Sequence, residues 1–487
     1  MPRRRVHLAA PPAVAGAEDV DAAVRGGLRA LRDELAIPDG FPADVLAEAL
    51  SAAGRPVAAP LDATDVELVT IDPPGSRDLD QAVHIERRDG GYRVRYAIAD
   101  VAAWVAPGGA VDSEARRRVE TLYAPDGRTP LHPPELSEGV ASLLPGQDAP
   151  ALLWTIDLDA TGAPGDVSVR RARVRSRAQH TYDDVQAALD DGTASPSLQL
   201  LREVGRLRED AERARGGITL PTPEQEVVPV ADDGWALVSR ATLPVEDWNA
   251  QISLLTGMCA ARLMIDARIG VLRTLPAADP RDVDRLRRSA AALAVPWPQG
   301  ASHGEFIRDL DASKPAEAAL LTEATTLLRG AAYVAFDGTV PDDVEHAAIA
   351  APYAHATAPL RRLVDRFVGE VCVAVCAGDE VPGWVRDALP LLPALMAGGD
   401  RRASEYERGC LDLVEAVLLA DRVGETFSGV VVDVRDDRTA GVVQLRDPVV
   451  RGRVEGVELP LGERVDVRLT EASVARRTVR FVLDGNR

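Results

Sequence analysis

From about residue 18 the spacing of apolar positions alternates between two periods, and the switches divide the chain into sections. AEDVDAAVRGGLRALRDELAI places valine, leucine and alanine at helical spacing, and FPADVLAEALSAAG repeats the pattern after a proline–glycine break. The proline-bearing GRPVAAPLDATD reads as a linker. Beyond it, VELVTID, YRVRYAIADVAAWV and ALLWTIDLDATGAPGDVSVRRARVRS are strand-like, rich in β-branched and aromatic residues, with turns at DGG and TGAPGD. Helical spacing returns from about residue 181 with TYDDVQAAL and LQLLREVGRLREDAERAR, the latter stopped by Gly216-Gly217. EDWNAQISLLTGMCAARLMIDARIG, ALLTEATTLLRGAAYVAF and ATAPLRRLVDRFVGEVCVAVCAG continue as long helices, and one more runs from about 393 to 422. The last stretch holds five short strand patterns separated by turn residues, which suits a small OB-like β-barrel. The order predicts an α+β protein in three parts: a disordered leader with N-terminal helices over 1–60, a large domain over 61–420 and a β-barrel over 421–487.

Composition narrows the class. The 487 residues, 46% hydrophobic and 27% charged, are ordinary for a folded globular chain. No apolar run approaches the roughly 18 residues of a membrane span. The basic start is followed only by a short, proline-broken apolar stretch, so the expectation is a cytoplasmic protein with no membrane partner. Cys259, Cys372, Cys376 and Cys410 have no histidine placed to complete a zinc site and read as reduced core thiols. A formal net charge of −20 excludes a nonspecific coat for nucleic acid, yet it is compatible with a local basic channel ending at an acidic site.

Two stretches carry chemistry. In Thr70-Ile71-Asp72-Pro73-Pro74-Gly75-Ser76-Arg77-Asp78-Leu79-Asp80-Gln81, a strand delivers Asp72 into a proline–glycine turn, with Asp78 and Asp80 following two residues apart. Clustered carboxylates suit a hard cation such as Mg²⁺, although a solvated acidic turn has the same pattern. In Ala356-Thr357-Ala358-Pro359-Leu360-Arg361-Arg362-Leu363, Thr357 and Pro359 look like a helix start with Arg361 in its first turns. There Arg361 is placed either to stabilise charge developing on a phosphate or to pair with Asp365 on a surface helix. Arg171, Arg173, Arg175 and Arg177 alternate along one strand face, as a phosphate-tracking row or as a solvated face.

IDPPGSRDLDQA followed by YAIADVAAWV closely resembles the signature of the ribonuclease II (RNB) family, and YAHATAPLRR, with Thr357, Pro359 and Arg361, resembles that family's second motif. The resemblance covers roughly residues 64 to 480 and implies an RNB-type catalytic domain, a mixed sheet surrounded by long helices. It implies a Mg²⁺-dependent hydrolase, using one or two ions, that degrades single-stranded RNA from its 3′ end and releases nucleoside 5′-monophosphates. By the same match, Asp72, Asp78 and Asp80 hold the metal, and Asp80 and Arg361 are catalytic. Tyr123 falls where the family stacks an aromatic on bases near the 3′ end, and Glu407 aligns with a glutamate near the RNA backbone. The chain departs from the pattern at Gln81, where the family usually has aspartate: an amide oxygen can ligate a metal but brings no charge. The first 60 residues are too few and too helical for the cold-shock barrels common in the family, so a short form with weaker RNA grip is expected. The alternative is an inactive RNA-binding relative with the same fold.

Overall fold

The computed structural model describes residues 17–57, 59–220, 224–230, 234–240, 242–435, 437–445, 448 and 450–484. The leader expected at 1–16 lies outside the described residues. Two amphipathic helices come first, α1 (Ala17–Glu34) and α2 (Ala43–Ala53). They are followed by β1 (Leu61–Asp72), β2 (Gln81–Arg88), β3 (Gly91–Ala99), helix α3 (Ala110–Arg118), the short hairpin β4 (Leu122–Ala124) and β5 (Gly127–Thr129), and the long strands β6 (Asp148–Asp159) and β7 (Pro164–Thr181).

The mixed sheet expected from the resemblance closes on itself. β1, β2, β3, β6 and β7 form a five-stranded barrel whose pairs are antiparallel except β1 with β7, which run parallel. Strand residues alternate between two hydrophobic clusters, as a two-residue period requires. Val94, Tyr96, Ile98, Leu152, Trp154 and Ile156 pack in one with the Pro244–Ala267 and Leu363–Ala377 helices, whereas Ala97, Ala99, Ala151 and Leu153 pack in the other with α2. Both faces are therefore buried at residues 97–99 of β3 and 151–154 of β6, whereas β7 carries a partly exposed row of arginines.

Two expected elements change type. In YRVRYAIADVAAWV the strand stops at Ala99, and Val101–Ala103 is a 3-10 turn capped by the Asp100 carboxylate, which accepts from the Ala103 N–H. In ALLTEATTLLRGAAYVAF the helix ends at Ala324, and Ala332–Asp337 is a strand paired along its length with Ile269–Thr274. That strand partner lies some sixty residues upstream, and the pairing overrides the local helical spacing.

All five C-terminal strand patterns are realised, as Thr426–Val434, Ala440–Leu445, Arg451–Glu455, Arg464–Ser473 and Thr478–Leu483, and they close into a second barrel. Its core is continuous with the Leu392–Leu419 helix and with α1, through Leu28, Leu31, Tyr406, Leu413, Phe427 and Phe481. The four cysteines are free thiols, with Cys259, Cys372 and Cys410 buried. No helix among the described residues is long and apolar enough to cross a membrane.

Candidate active site

The acidic turn is built by its own sequence. β1 ends at Asp72, and Pro73-Pro74-Gly75 reverses the chain with a Ser76 N–H to Pro73 carbonyl bond of 3.2 Å. Gly75 sits at φ +79°, and space for a Cβ is open there, so the backbone conformation alone demands glycine. The chain then descends to Asp80 on a clamp formed by Ser142. The Leu79 N–H donates to Ser142 Oγ at 3.0 Å, and that hydroxyl donates to the Arg77 carbonyl at 2.6 Å. The Leu79 side chain is fully buried, which fixes its neighbours Asp78 and Asp80.

The arginine stretch meets this turn from the far end of the chain. Leu360 N–H donates to Asp80 Oδ1 at 2.8 Å, and Arg361 Nε stands 3.2 Å from Asp80 Oδ2. Arg361 lies in a turn two residues ahead of the Leu363–Ala377 helix, not in its first turns. The displacement has a local cause. Asp365 accepts the Ala358 N–H at 2.8 Å and receives the guanidinium of Arg362, while residues 119–121 pair with Arg361, Arg362 and Leu363 through backbone bonds. The i,i+3 pair with Asp365 thus belongs to Arg362, which leaves Arg361 for Asp80. The Arg361 side chain is 35% exposed and that of Asp80 only 3%, so of the pair the arginine is the member that reaches toward solvent.

Burial governs the carboxylates. It pushes the Asp80 carboxyl up to about 8 against the opposing pull of Arg361 and the Leu360 N–H. Asp72 is raised to about 6, again chiefly by burial, with the Thr70 hydroxyl and then Arg361 opposing and Asp78 adding. Asp72 Oδ2 is buried with no hydrogen-bond partner. Asp78 is differently placed: it receives Arg128 Nη1, and Arg128 Nη2 lies 2.8 Å from Glu138 Oε1. Gln81 opens β2 and its Nε2 donates to the Thr357 carbonyl, a bond between the two motifs that a carboxylate is unable to make.

As the side chains stand, no group of three His, Cys, Asp or Glu among the described residues is arranged to hold a metal ion, and Asp78 is paired with Arg128. The donor chemistry still fits one. Mg²⁺ takes one or two carboxylates and completes its shell with water and phosphate oxygens. Asp72, with its orphaned oxygen, and Asp80 supply two inward carboxylates whose ionisation a cation would restore.

Tyr123 lies on β4, directly across from Arg128 on β5, half-buried and within electrostatic range of Arg361. The hairpin turn is anchored by α1: Arg32 forks onto Asp126 and donates to the Tyr406 hydroxyl at 2.9 Å. Glu407 follows Tyr406 on the Leu392–Leu419 helix, half-buried. The arginine row on β7 is engaged within the protein. Arg171 bridges Asp100 and Glu370, Arg173 pairs with Asp62, Arg175 reaches Asp148 at 2.6 Å, and Arg177 donates to the Thr64 carbonyl at 2.7 Å. An RNA strand would meet these arginines only in competition with those partners. Sequence reasoning passed over Arg128, Ser142, Asp126 and Arg32, none of which sits in a repeating pattern.

Residues 61–377 match the RNB domain, and residues 425–484 match the RNase II-type exonuclease C-terminal S1 domain. The chain is 26% identical over 462 residues to an uncharacterised ribonuclease of Synechocystis, covering 92% of this chain and 64% of the relative. It is 26% identical over 471 residues to ribonuclease R of Escherichia coli, covering 87% and 57%. It therefore spans about three-fifths of the length of these relatives. Among solved structures, RNase R of Mycoplasma genitalium in complex with ribose-methylated single-stranded RNA superposes with a TM-score of 0.83 at 19% identity, over 95% of this chain and 78% of that one. The yeast pseudonuclease Ssd1 superposes at 0.67 and 16% identity, over 93% and 57%.

Proposed function

Since the chain belongs to the RNB family, we propose that it is a hydrolytic exoribonuclease that shortens single-stranded RNA from the 3′ end, requires Mg²⁺ and releases nucleoside 5′-monophosphates. One observation carries the reading: the partly exposed Arg361 side chain pairs with the buried Asp80 carboxylate across 281 positions of sequence, with Asp72 within electrostatic range. A buried acid paired to a reachable arginine is an arrangement for phosphate chemistry, and a surface ion pair has no need of it.

In this reading Tyr123 stacks on a base near the 3′ end, a contact worth about 1–3 kcal/mol and indifferent to sequence. Arg361 receives the scissile phosphate and stabilises the charge that develops there. Asp80 orients Arg361 and, with Asp72 and the Gln81 carbonyl oxygen, would hold the cation, Asp78 joining when Arg128 releases it. Mg²⁺ held there would neutralise phosphate charge and lower the pKa of the attacking water. Arg173, Arg175, Arg177 and Glu407 would contact RNA further from the 3′ end, and Arg171 would support the strand that carries them. The cytoplasm is the compartment that such a substrate implies.

A second reading, an RNA-binding relative without catalysis, draws on Gln81 tied to the Thr357 carbonyl and on Asp78 neutralised by Arg128. One experiment separates the two: the protein and its Asp80→Asn variant are incubated with 5′-labelled single-stranded RNA across a Mg²⁺ titration. A ladder that shortens from the 3′ end with the protein and is absent with the variant is the expected result. Retention of RNA by both with no cleavage at any Mg²⁺ concentration would sink the exonuclease reading in favour of the second.

A further inference from the structure

Arg128 is held at three points. Its strand β5 pairs with β4, so that Arg128 stands opposite Tyr123; the intervening turn is pinned through Asp126 by Arg32 of α1; and its guanidinium spans Asp78 and Glu138. Its side chain is 26% exposed, and those of Asp78 and Glu138 are 12% and 24%. Asp78 in turn acts electrostatically on Asp72, Asp80 and Arg361. A cation bound at Asp72 and Asp80 would therefore feel both Asp78 and whatever neutralises Asp78.

We infer that Arg128 is a positioning residue that keeps the Asp78 carboxylate occupied until a divalent cation takes it, with Glu138 as the partner that retains Arg128 after the exchange. The inference rests on the proposed metal-dependent function and names a control on it. A guanidinium on a carboxylate takes up the lone pairs a metal would use and places a positive charge beside the metal position. Glu138 lowers the cost of exchange, because Arg128 leaves Asp78 without losing every ion pair. The cross-strand position opposite Tyr123 ties the exchange to the hairpin on which RNA would stack, so RNA arriving at Tyr123 meets the residue that controls Asp78.

The test reads metal binding without RNA and without turnover. Mn²⁺ is titrated into the full chain, and free Mn²⁺ is followed by electron paramagnetic resonance. Arg128→Met, neutral and of similar length, is expected to bind Mn²⁺ roughly tenfold more tightly than the parent, the effect of removing one adjacent charge. Arg128→Lys, which keeps the charge, stays near the parent value. Glu138→Gln weakens binding, because Arg128 then has Asp78 as its single acid. A damaged hairpin does not produce tighter binding, so a gain in affinity separates positioning from a structural role. Parent-like or weaker binding by Arg128→Met overturns the inference and leaves the proposed function standing. Absence of Mn²⁺ binding by the parent and all variants overturns the inference together with the metal dependence of the proposed function.

Discussion

The described residues form two five-stranded closed barrels, each with a single parallel strand pair, and the acid–arginine site lies at the first of them. The C-terminal barrel closes on Val431, Val443, Val454, Val467, Leu469 and Phe481, and among its described residues no charged side chain is buried. The first barrel also has an apolar core, yet Asp80 and Asp100 are buried where its strands meet the adjoining loops. Barrel closure provides rigidity in both. The difference lies in what the rest of the chain brings to each barrel: an arginine turn and a hairpin that face carboxylates in the first, and chiefly the apolar faces of α1 and the Leu392–Leu419 helix in the second.

Each prediction presses on that contrast. The largest effect is expected at the meeting of the two motifs: Arg361→Ala should slow RNA cleavage by about 10²–10³-fold, measured by single-turnover assays, with the melting temperature little changed. A comparable loss of stability would mean that the pair serves folding instead. Next, Phe481→Ala in the second barrel should cost about 3–5 kcal/mol in denaturant unfolding, while single-turnover cleavage of a short RNA by the folded fraction stays near the parent rate. Equal damage to the chemical step would erase the distinction between the barrels. The smallest effect concerns His132, buried beside Arg366 and pushed down to about 3, first by burial and then by that arginine. An unfolded histidine takes up its proton near pH 6.5, whereas His132 in the fold does not until far lower. Stability therefore falls as pH drops from about 6.5 toward 3. His132→Gln, which retains a donor for the Pro359 carbonyl, should remove this component, seen as a stability difference from the parent that varies with pH only below about 6.5. The described strands of the second barrel contain no histidine, so an isolated response of this kind belongs to the first.

Local periodicity carried most of the elements, because strands such as Arg464–Ser473 and helices such as Pro196–Arg215, with its Gly216 stop, satisfy their own sequence preferences. It failed where distant pairing decides. Ala332–Asp337 reads as the end of a helix until Ile269–Thr274 pairs with it, and the helix after Arg361 starts late because residues 119–121 hold that turn extended. At the site, the residue types of Asp72, Asp78, Asp80 and Arg361 were plain. That Asp78 and Asp80 face two different arginines was not, since Arg128 lies in a hairpin with no repeating signal. The β7 arginines alternate as the sequence suggests, and their acidic partners come from other parts of the chain: Asp62 on β1, Asp100 after β3, Asp148 on β6 and Glu370 on the Leu363–Ala377 helix.

The bond from Gln81 to Thr357 and the contact from Asp80 to Leu360 and Arg361 also set a schedule. Contacts between residues this far apart form late, because a long loop must close before they contribute. During synthesis, which proceeds at roughly 5–20 residues per second, a chain that has emerged only through the first barrel carries its acids without the guanidinium that faces them. The ribosome would thus release the arginine half of the site 281 positions after the acidic half, so the emerging chain first carries the buried acid of the pair with no cation of its own to face it.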